Sequence, residues 1–263
     1  MSQTLGSQPR CRRIADAIHC VYADAGLAPT AGRPGATRLI VPLYELINAY
    51  PLRVAEIRNL TYGSAREFLL TETQQEVPVP ENSGCPLAGF LYIYRYAGFF
   101  YGCVLLEQGD PVSRRRFSAA HELGHYLLHF LPLLRELEGQ AARPCVITEG
   151  LAVSADPDAA PPVGEVRFTE SFGAAATQPV LDREVMEDEA NEFAAELLMP
   201  EPAVRLMADR YRRETGARRQ VLARRLAPEF LVSRQAMIRR LETLGLPTAQ
   251  RVPGTVGSGL AGE

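Results

Sequence analysis

Residues 114–130 read RRRFSAAHELGHYLLHF. The whole chain holds four histidines, and three of them, His121, His125 and His129, fall in this stretch. Its reading decides between a metal site, a core helix that happens to carry imidazoles, and a basic-then-apolar docking helix. On a helix, side chains four residues apart stack on one face, about 6 Å from each other. His121 and His125 therefore point the same way and can share one ion, with Glu122 flanking that ion rather than facing it. This is the HExxH arrangement, in which two imidazoles hold zinc and the carboxylate takes a proton from zinc-bound water. Glu122 then passes that proton to a leaving amine. His129 comes a further turn on, about 12 Å along the axis from His121. It cannot join the same ion while the helix continues, and it reads either as a residue behind the ligands or as a surface residue.

Upstream, Phe90, Tyr92, Tyr94 and Tyr96 alternate with other residues, Ala97-Gly98 breaks the run, and a second apolar run covers 99–106. Alternation of this kind marks a β-hairpin or two adjacent strands. Gln108, Gly109, Asp110 and Pro111 form a turn, and Ser118 suits the N-cap of the motif helix. Gly124 costs a helix about 1 kcal/mol relative to Ala, so a close neighbour is expected there. Before the hairpin, residues 12–25 carry Ile14, Ile18, Val21 and Tyr22 at helical intervals, with Gly26 as a stop. A Pro/Gly-rich loop over 27–38 follows, then a helix over 41–50 ended by Pro51. Downstream, 138–181 reads as a long insertion with one short strand near 166–168, long enough to lie over a cleft. A helix over 183–199 stops at Pro200. Two or three arginine-rich helices occupy 202–244, and the tail 247–263 reads as disordered. This mixture of strands and helices is α+β. It divides into a domain at 1–200, which carries the insertion, and a helical segment at 201–246.

A catalytic zinc takes a third protein ligand and keeps one position open. No further histidine is at hand and the thiols are scattered, so a carboxylate is expected. In VMEDEANEFAAELLMP, residues 185–200, the apolar face runs through Ala190, Ala194, Leu197 and Leu198. Glu187 shares that face and is the third ligand expected. Asn191, one turn after Glu187, is placed to hold a histidine through its free ring nitrogen. Glu189, Glu192 and Glu196 fall on the other side and read as a solvated acidic face. The same donors also suit manganese or iron.

HELGHYLLH followed by EDEANEFAAELLMP resembles the ImmA/IrrE family of zinc metallopeptidases, whose pattern is an RFxxAHELGH helix and then ExxANxFAxxLLMP. Arg116, Phe117, Ala120 and residues 121–125 match the first part. Glu187, Ala190, Asn191, Phe193, Ala194, Leu197, Leu198, Met199 and Pro200 match the second. Looser likeness runs from about residue 88 to 246. The resemblance implies a zincin-like, gluzincin-type metallopeptidase domain, with His121, His125 and Glu187 on zinc and Glu122 as base. It also implies a biology: members cut a partner repressor of the helix-turn-helix class and so induce stress-response or mobile-element genes. An extended substrate is expected to pair with an edge strand of the aromatic sheet. The spacing departs from the compact members, because Glu187 comes 62 residues after His125.

The net charge is −3, but residues 201–263 hold twelve arginines against six acidic residues, a local +6 that leaves −9 for the rest. Two regions with different tasks are expected. Residues 222–246 have the cadence of a helix-turn-helix, with Ser233 as N-cap of the second helix. The turn, APEFLVS, is longer than usual for that motif. In a DNA reader Arg234, Gln235, Arg239 and Arg240 would face bases or phosphates. A scaffold that packs on the preceding domain, or grips the substrate repressor, is the stronger reading. The rival function is a DNA- or protein-binding regulator with a structural zinc and no proteolysis. The five cysteines are odd in number and lack CxxC pairs, which fits reduced thiols in a cytoplasm. Cys145, in the insertion, is either a plain loop cysteine or a thiolate cap on the zinc. The polar N-terminus argues against a signal peptide. The apolar stretch 90–106 is broken by Arg95 and two glycines, too short for a membrane span.

Overall fold

The computed structural model describes residues 9–29, 39–74, 84–137, 147–152, 167–168, 183–215 and 219–246. The elements run α1 (Arg10–Asp24), α2 (Leu43–Ile47), β1 (Leu52–Ile57), α3 (Tyr62–Thr73), β2 (Leu87–Tyr96), β3 (Phe99–Glu107) and α4 (Val112–His125). A π-helical turn (Tyr126–Phe130) leads into α5 (Leu131–Leu137). Then come β4 (Ile147–Ala152), β5 (Arg167–Phe168), α6 (Arg183–Leu198), α7 (Glu201–Thr215), α8 (Arg219–Phe230) and α9 (Arg234–Thr243). The fold is α+β, as the sequence pattern predicts.

The strands form one sheet in the order β1-β3-β2-β4-β5, with β1 parallel to β3 and the other neighbours antiparallel. The expected hairpin is β2–β3. Its turn is Ala97-Gly98, both at positive φ, the conformation that matches strand twist in a two-residue hairpin loop. Period-2 alternation splits β2 between two cores. Phe90 and Tyr92 pack with Cys103 and Leu105 against Leu60, Ala65 and Leu69 around α3. Leu91 and Ile93, with Val104 and Leu106, belong to the larger core that holds Ala119, Ala120 and Leu123 of α4. Each such fully buried aliphatic or aromatic side chain contributes about 1.5–3 kcal/mol.

Several expectations change. The motif helix starts at Val112, behind Pro111, and Ser118 lies buried within it rather than capping it. Pro111 holds φ near −55° and lacks an amide hydrogen, so it suits a helix start without a side-chain cap. Arg114, Arg115 and Arg116 are consequently helical and engaged: with Asp110, with Glu56, and with the Val41 carbonyl at 2.9 Å. That removes the docking-helix reading. The helix expected over 41–50 shrinks to α2. β1 and α3 have no counterpart in the sequence reading; Thr61 and Ser64 form a reciprocal capping box at the start of α3.

The insertion carries more sheet than expected. β5 is the strand anticipated near 166–168, but β4 is an additional one, lying along β2 from Leu87 to Ile93. The rest of 138–181, including Cys145, lies outside the described residues, as does the tail 247–263. With β4 on one side and β3 on the other, β2 is an interior strand over 89–93, and the edge strands of the described sheet are β1 and β5. The last helices do not stand apart. Leu222, Leu226, Phe230, Met237 and Leu241 share one core with Leu123 and Phe193. Among the described residues no helix is long and apolar enough to cross a membrane.

Candidate metal centre

α4 and α6 cross closely, and the reason is Gly124. A β-carbon on it would lie 3.0 Å from Phe193 Cδ1 and 3.2 Å from Ala190 Cα. The neighbour expected at this glycine is therefore α6, which carries the candidate ligand Glu187. The crossing sets Glu187 opposite the two histidines. His121 Nε2 and His125 Nε2 are 2.9 Å apart; Glu187 Oε2 is 3.4 Å from the first and Glu187 Oε1 is 3.8 Å from the second. All three residues are buried.

These donors fit a metal ion. One ligand atom from each of His121, His125 and Glu187 lies within 4.8 Å of the others. Tetrahedral zinc with bonds of about 2.0 Å needs its ligand atoms about 3.3 Å apart, and the three separations bracket that value. Without a cation, inward-facing lone pairs and a carboxylate in a buried space would be costly.

Glu122 is fully buried, and neither of its carboxylate oxygens has a hydrogen-bond partner. Burial, and then the nearby charge of Glu187, push its pKa well above the usual carboxylate range. The backbone of β2 comes close here: a β-carbon on Gly89 would lie 2.7 Å from Glu122 Oε1. An unpartnered carboxylate of raised proton affinity beside three convergent donors suits a group that accepts a proton and later hands it on.

His129 is not a ligand, and of the two places open to it the structure selects the one behind the ligands. It is buried, with Nδ1 3.1 Å from His125 Nδ1 and Nε2 3.2 Å from Glu189 Oε2. Burial, the Arg13 charge and His121 push its pKa down to about 3, so the ring is neutral. His125 is likewise held well below the ordinary range, by burial and then by His121 and His129.

The acidic face of α6 is only partly solvated: Glu192 and Glu196 keep exposure, as expected, but Glu189 does not. Glu189 is 3% exposed and its Oε1 pairs with Arg13 Nη2 from α1. Arg10 on the same helix reaches Asp188 and Glu192, and Glu196 pairs with Arg240. A helical wheel sees one helix at a time, and α1 covers the side that looked exposed. Asn191 is half-buried and makes no hydrogen bond to the three histidines among the described residues; His129 holds His125 Nδ1 in its place.

At the C-terminal end, Ser233 caps α9 as expected, accepting from the Ala236 amide at 3.0 Å. The turn is shorter than its sequence suggests, because α8 runs through Pro228 to Phe230 and leaves only 231–233. Of the four residues expected to face a nucleic acid or partner, Arg234 and Arg239 are exposed and Gln235 is half-buried. Arg240 is buried; its Nε donates to the Met199 carbonyl at 2.9 Å and its Nη2 pairs with Glu196. It ties α9 to the end of α6 and is unavailable to DNA.

A family model described as the IrrE N-terminal-like domain, Peptidase_M78, matches residues 87–140 and 170–242. The match opens at β2, includes the HExxH helix and Glu187, and reaches into α9, leaving residues 141–169 between its two segments unmatched. A comparison with curated proteins finds no match.

Proposed function

Because the chain belongs to the IrrE N-terminal-like peptidase family and carries a metal-competent His-His-Glu group, we propose that it is a zinc-dependent endopeptidase that makes site-specific cuts in a partner protein. The fold is zincin-like, with the site on α4 and α6 beside the sheet. The observation that carries the reading is Glu122: a buried carboxylate with no hydrogen-bond partner, next to three converging donors.

Each residue has a task. His121 and His125 offer Nε2, and Glu187 offers its carboxylate, to one ion. Zinc held by these three residues would supply Lewis-acid chemistry, lowering the pKa of a water to about 7. Glu122 accepts a proton from the attacking water and delivers it to the leaving amine, and its burial keeps its affinity for that proton high. Gly89, lacking a side chain, leaves room for the carboxylate.

The substrate proposed is a helix-turn-helix repressor, whose cleavage induces stress-response or mobile-element genes; the resemblance of the two motifs to the ImmA/IrrE family supports it. A candidate repressor incubated with the zinc-loaded protein is expected to be cut at one site, mapped by mass spectrometry. Glu122→Gln is expected to bind zinc like the wild type and to lose at least about 100-fold in cleavage rate. Wild-type cleavage by this variant would end the mechanism. No cut in any helix-turn-helix protein would end the substrate proposal alone.

A further inference from the structure

Behind the three proposed ligands lies a line of side chains from three separate elements. Arg13 on α1 pairs with Glu189 Oε1 on α6. Glu189 Oε2 is 3.2 Å from His129 Nε2 in the π-helical turn. His129 Nδ1 is 3.1 Å from His125 Nδ1. Glu189 and His129 are each 3% exposed and His125 is fully buried, so water does not compete for these bonds.

Proton positions in this line are not free to vary. A carboxylate salt-bridged to an arginine is acceptor-only. Glu189 therefore requires a proton on His129 Nε2. A neutral imidazole carries one ring proton, so His129 Nδ1 is left with a lone pair. Two lone pairs 3.1 Å apart would repel, so His125 Nδ1 carries the proton that bridges them. The proton on Nδ1 leaves His125 Nε2 bare, and Nε2 is the atom that faces His121 and Glu187. The reverse arrangement would aim a lone pair of His129 at a carboxylate. With His125 Nε2 bare in the metal-free protein, the 2.9 Å contact between the Nε2 atoms of His121 and His125 is bridged by a proton on His121 Nε2, whose ring Nδ1 has no hydrogen-bond partner.

We propose that Glu189, anchored by Arg13, acts through His129 as the positioning residue that sets the tautomer of His125 and prepares it for metal before the ion arrives. The π-helical turn is part of the device. There the Leu131 amide bonds to the Tyr126 carbonyl, five residues back, and the turn carries His129 beside His125 on one side and Glu189 on the other. His129 is thus a link in the ligand field without being a ligand. The inference rests on the metal reading for its consequence, but the tautomers themselves do not depend on it.

The test uses the full-length protein. Long-range 15N–1H correlation spectra of the metal-free protein separate the two tautomers of each ring, and the exposed His19 serves as an internal reference. The expected result is Nδ1–H on His125 and Nε2–H on His129. Zinc affinity is then measured by competition with a chromophoric chelator. Glu189→Gln keeps the shape, but its single carbonyl oxygen is drawn to Arg13 and its amide N–H₂ faces His129. Zinc should bind about 10–100-fold more weakly, the range expected when the group behind a metal-ligating histidine is lost. His125 protonated on Nε2 in the wild type, or unchanged zinc affinity in Glu189→Gln, overturns the proposal. Should Glu189→Gln fail to fold, the wild-type tautomers decide by themselves. Should the wild type bind no zinc, the metal reading fails while the tautomers still judge the relay.

Discussion

Replacing Gly89 by alanine adds one carbon at the point where β2 meets the proposed base. That carbon would lie 2.7 Å from Glu122 Oε1, 3.3 Å from Ser118 Cβ and 3.4 Å from Glu122 Cγ. Ordinary contact begins at 3.4 Å, so the oxygen must move by 3.4 − 2.7 = 0.7 Å. The carboxylate is the yielding partner, because it has no hydrogen bond to hold it, whereas α4 is packed against α6 at Gly124. A 1 Å misplacement costs on the order of 100-fold in rate, so kcat/KM should fall by about 10–100-fold. Zinc affinity should not change, since the three atoms nearest the added carbon belong to Glu122 and Ser118 and not to His121, His125 or Glu187. Stability should stay near that of the wild type. Alanine in a strand regains about 0.5–1 kcal/mol over glycine, and the tight approach to Ser118 works against that gain. Cleavage kinetics, chelator competition and a thermal melt on one preparation separate these effects. A variant with wild-type kcat/KM would refute the idea that the strand backbone positions the base. Parallel loss of zinc would show that Gly89 holds the helix instead.

Glu122→Gln should stabilise the metal-free protein at neutral pH, because the amide is neutral at every pH whereas the buried carboxyl must ionise or hold its proton there. The folded pKa of Glu122 lies above the ordinary 4.5, so the folded state retains a proton that the unfolded chain releases as pH rises. Wild-type stability from this group is therefore greatest below pH 4.5 and declines above it. The gap in melting temperature between variant and wild type should widen from pH 4.5 upward, and a constant gap would contradict the burial argument. Gly124→Ala gains about 1 kcal/mol of helix propensity but forces α6 away from α4, at a cost of about 1–3 kcal/mol. The expected sign is modest destabilisation with weaker zinc binding, and unchanged zinc affinity would show that the crossing does not set the Glu187 distance. Arg240→Ala should destabilise by about 3 kcal/mol, as expected when one partner of a buried pair is removed, whereas exposed Arg234→Ala should stay within about 0.5 kcal/mol. Chemical denaturation compares the two, and equal effects would remove the structural role given to Arg240.

The candidate ligands were legible in the sequence because they depend on a local period. His121 and His125 share a face through one helical turn, and Glu187 shares a face with Ala190 and Ala194 for the same reason. That His121, Glu122 and His125 form a chemical unit, and that α6 supplies the third donor, follows from 3.6 residues per turn and an apolar stripe. Gly124 announced a close neighbour through its helix cost alone. The α2–α3 region was harder to read: β1 has a mixed burial pattern, and α3 packs only against the second face of the sheet.

The remaining features depend on which element covers which face, and no local period carries that information. Glu189 looks solvated on its own helix and becomes a buried partner only because Arg13, 176 positions earlier in the chain, packs across it. His129 is too far along the axis to be a ligand, as helical spacing alone dictates. Its place behind His125 required both the π-helical turn and Glu189 on a different helix. Arg240 reads as a surface charge until α9 folds against the end of α6. β4 fills the edge of β2 through backbone hydrogen bonds that any sequence could make. Helical spacing thus determined the candidate ligands and the proposed base. Only tertiary packing decided the groups behind them, because a buried charge is defined by its long-range partners and not by its neighbours in sequence.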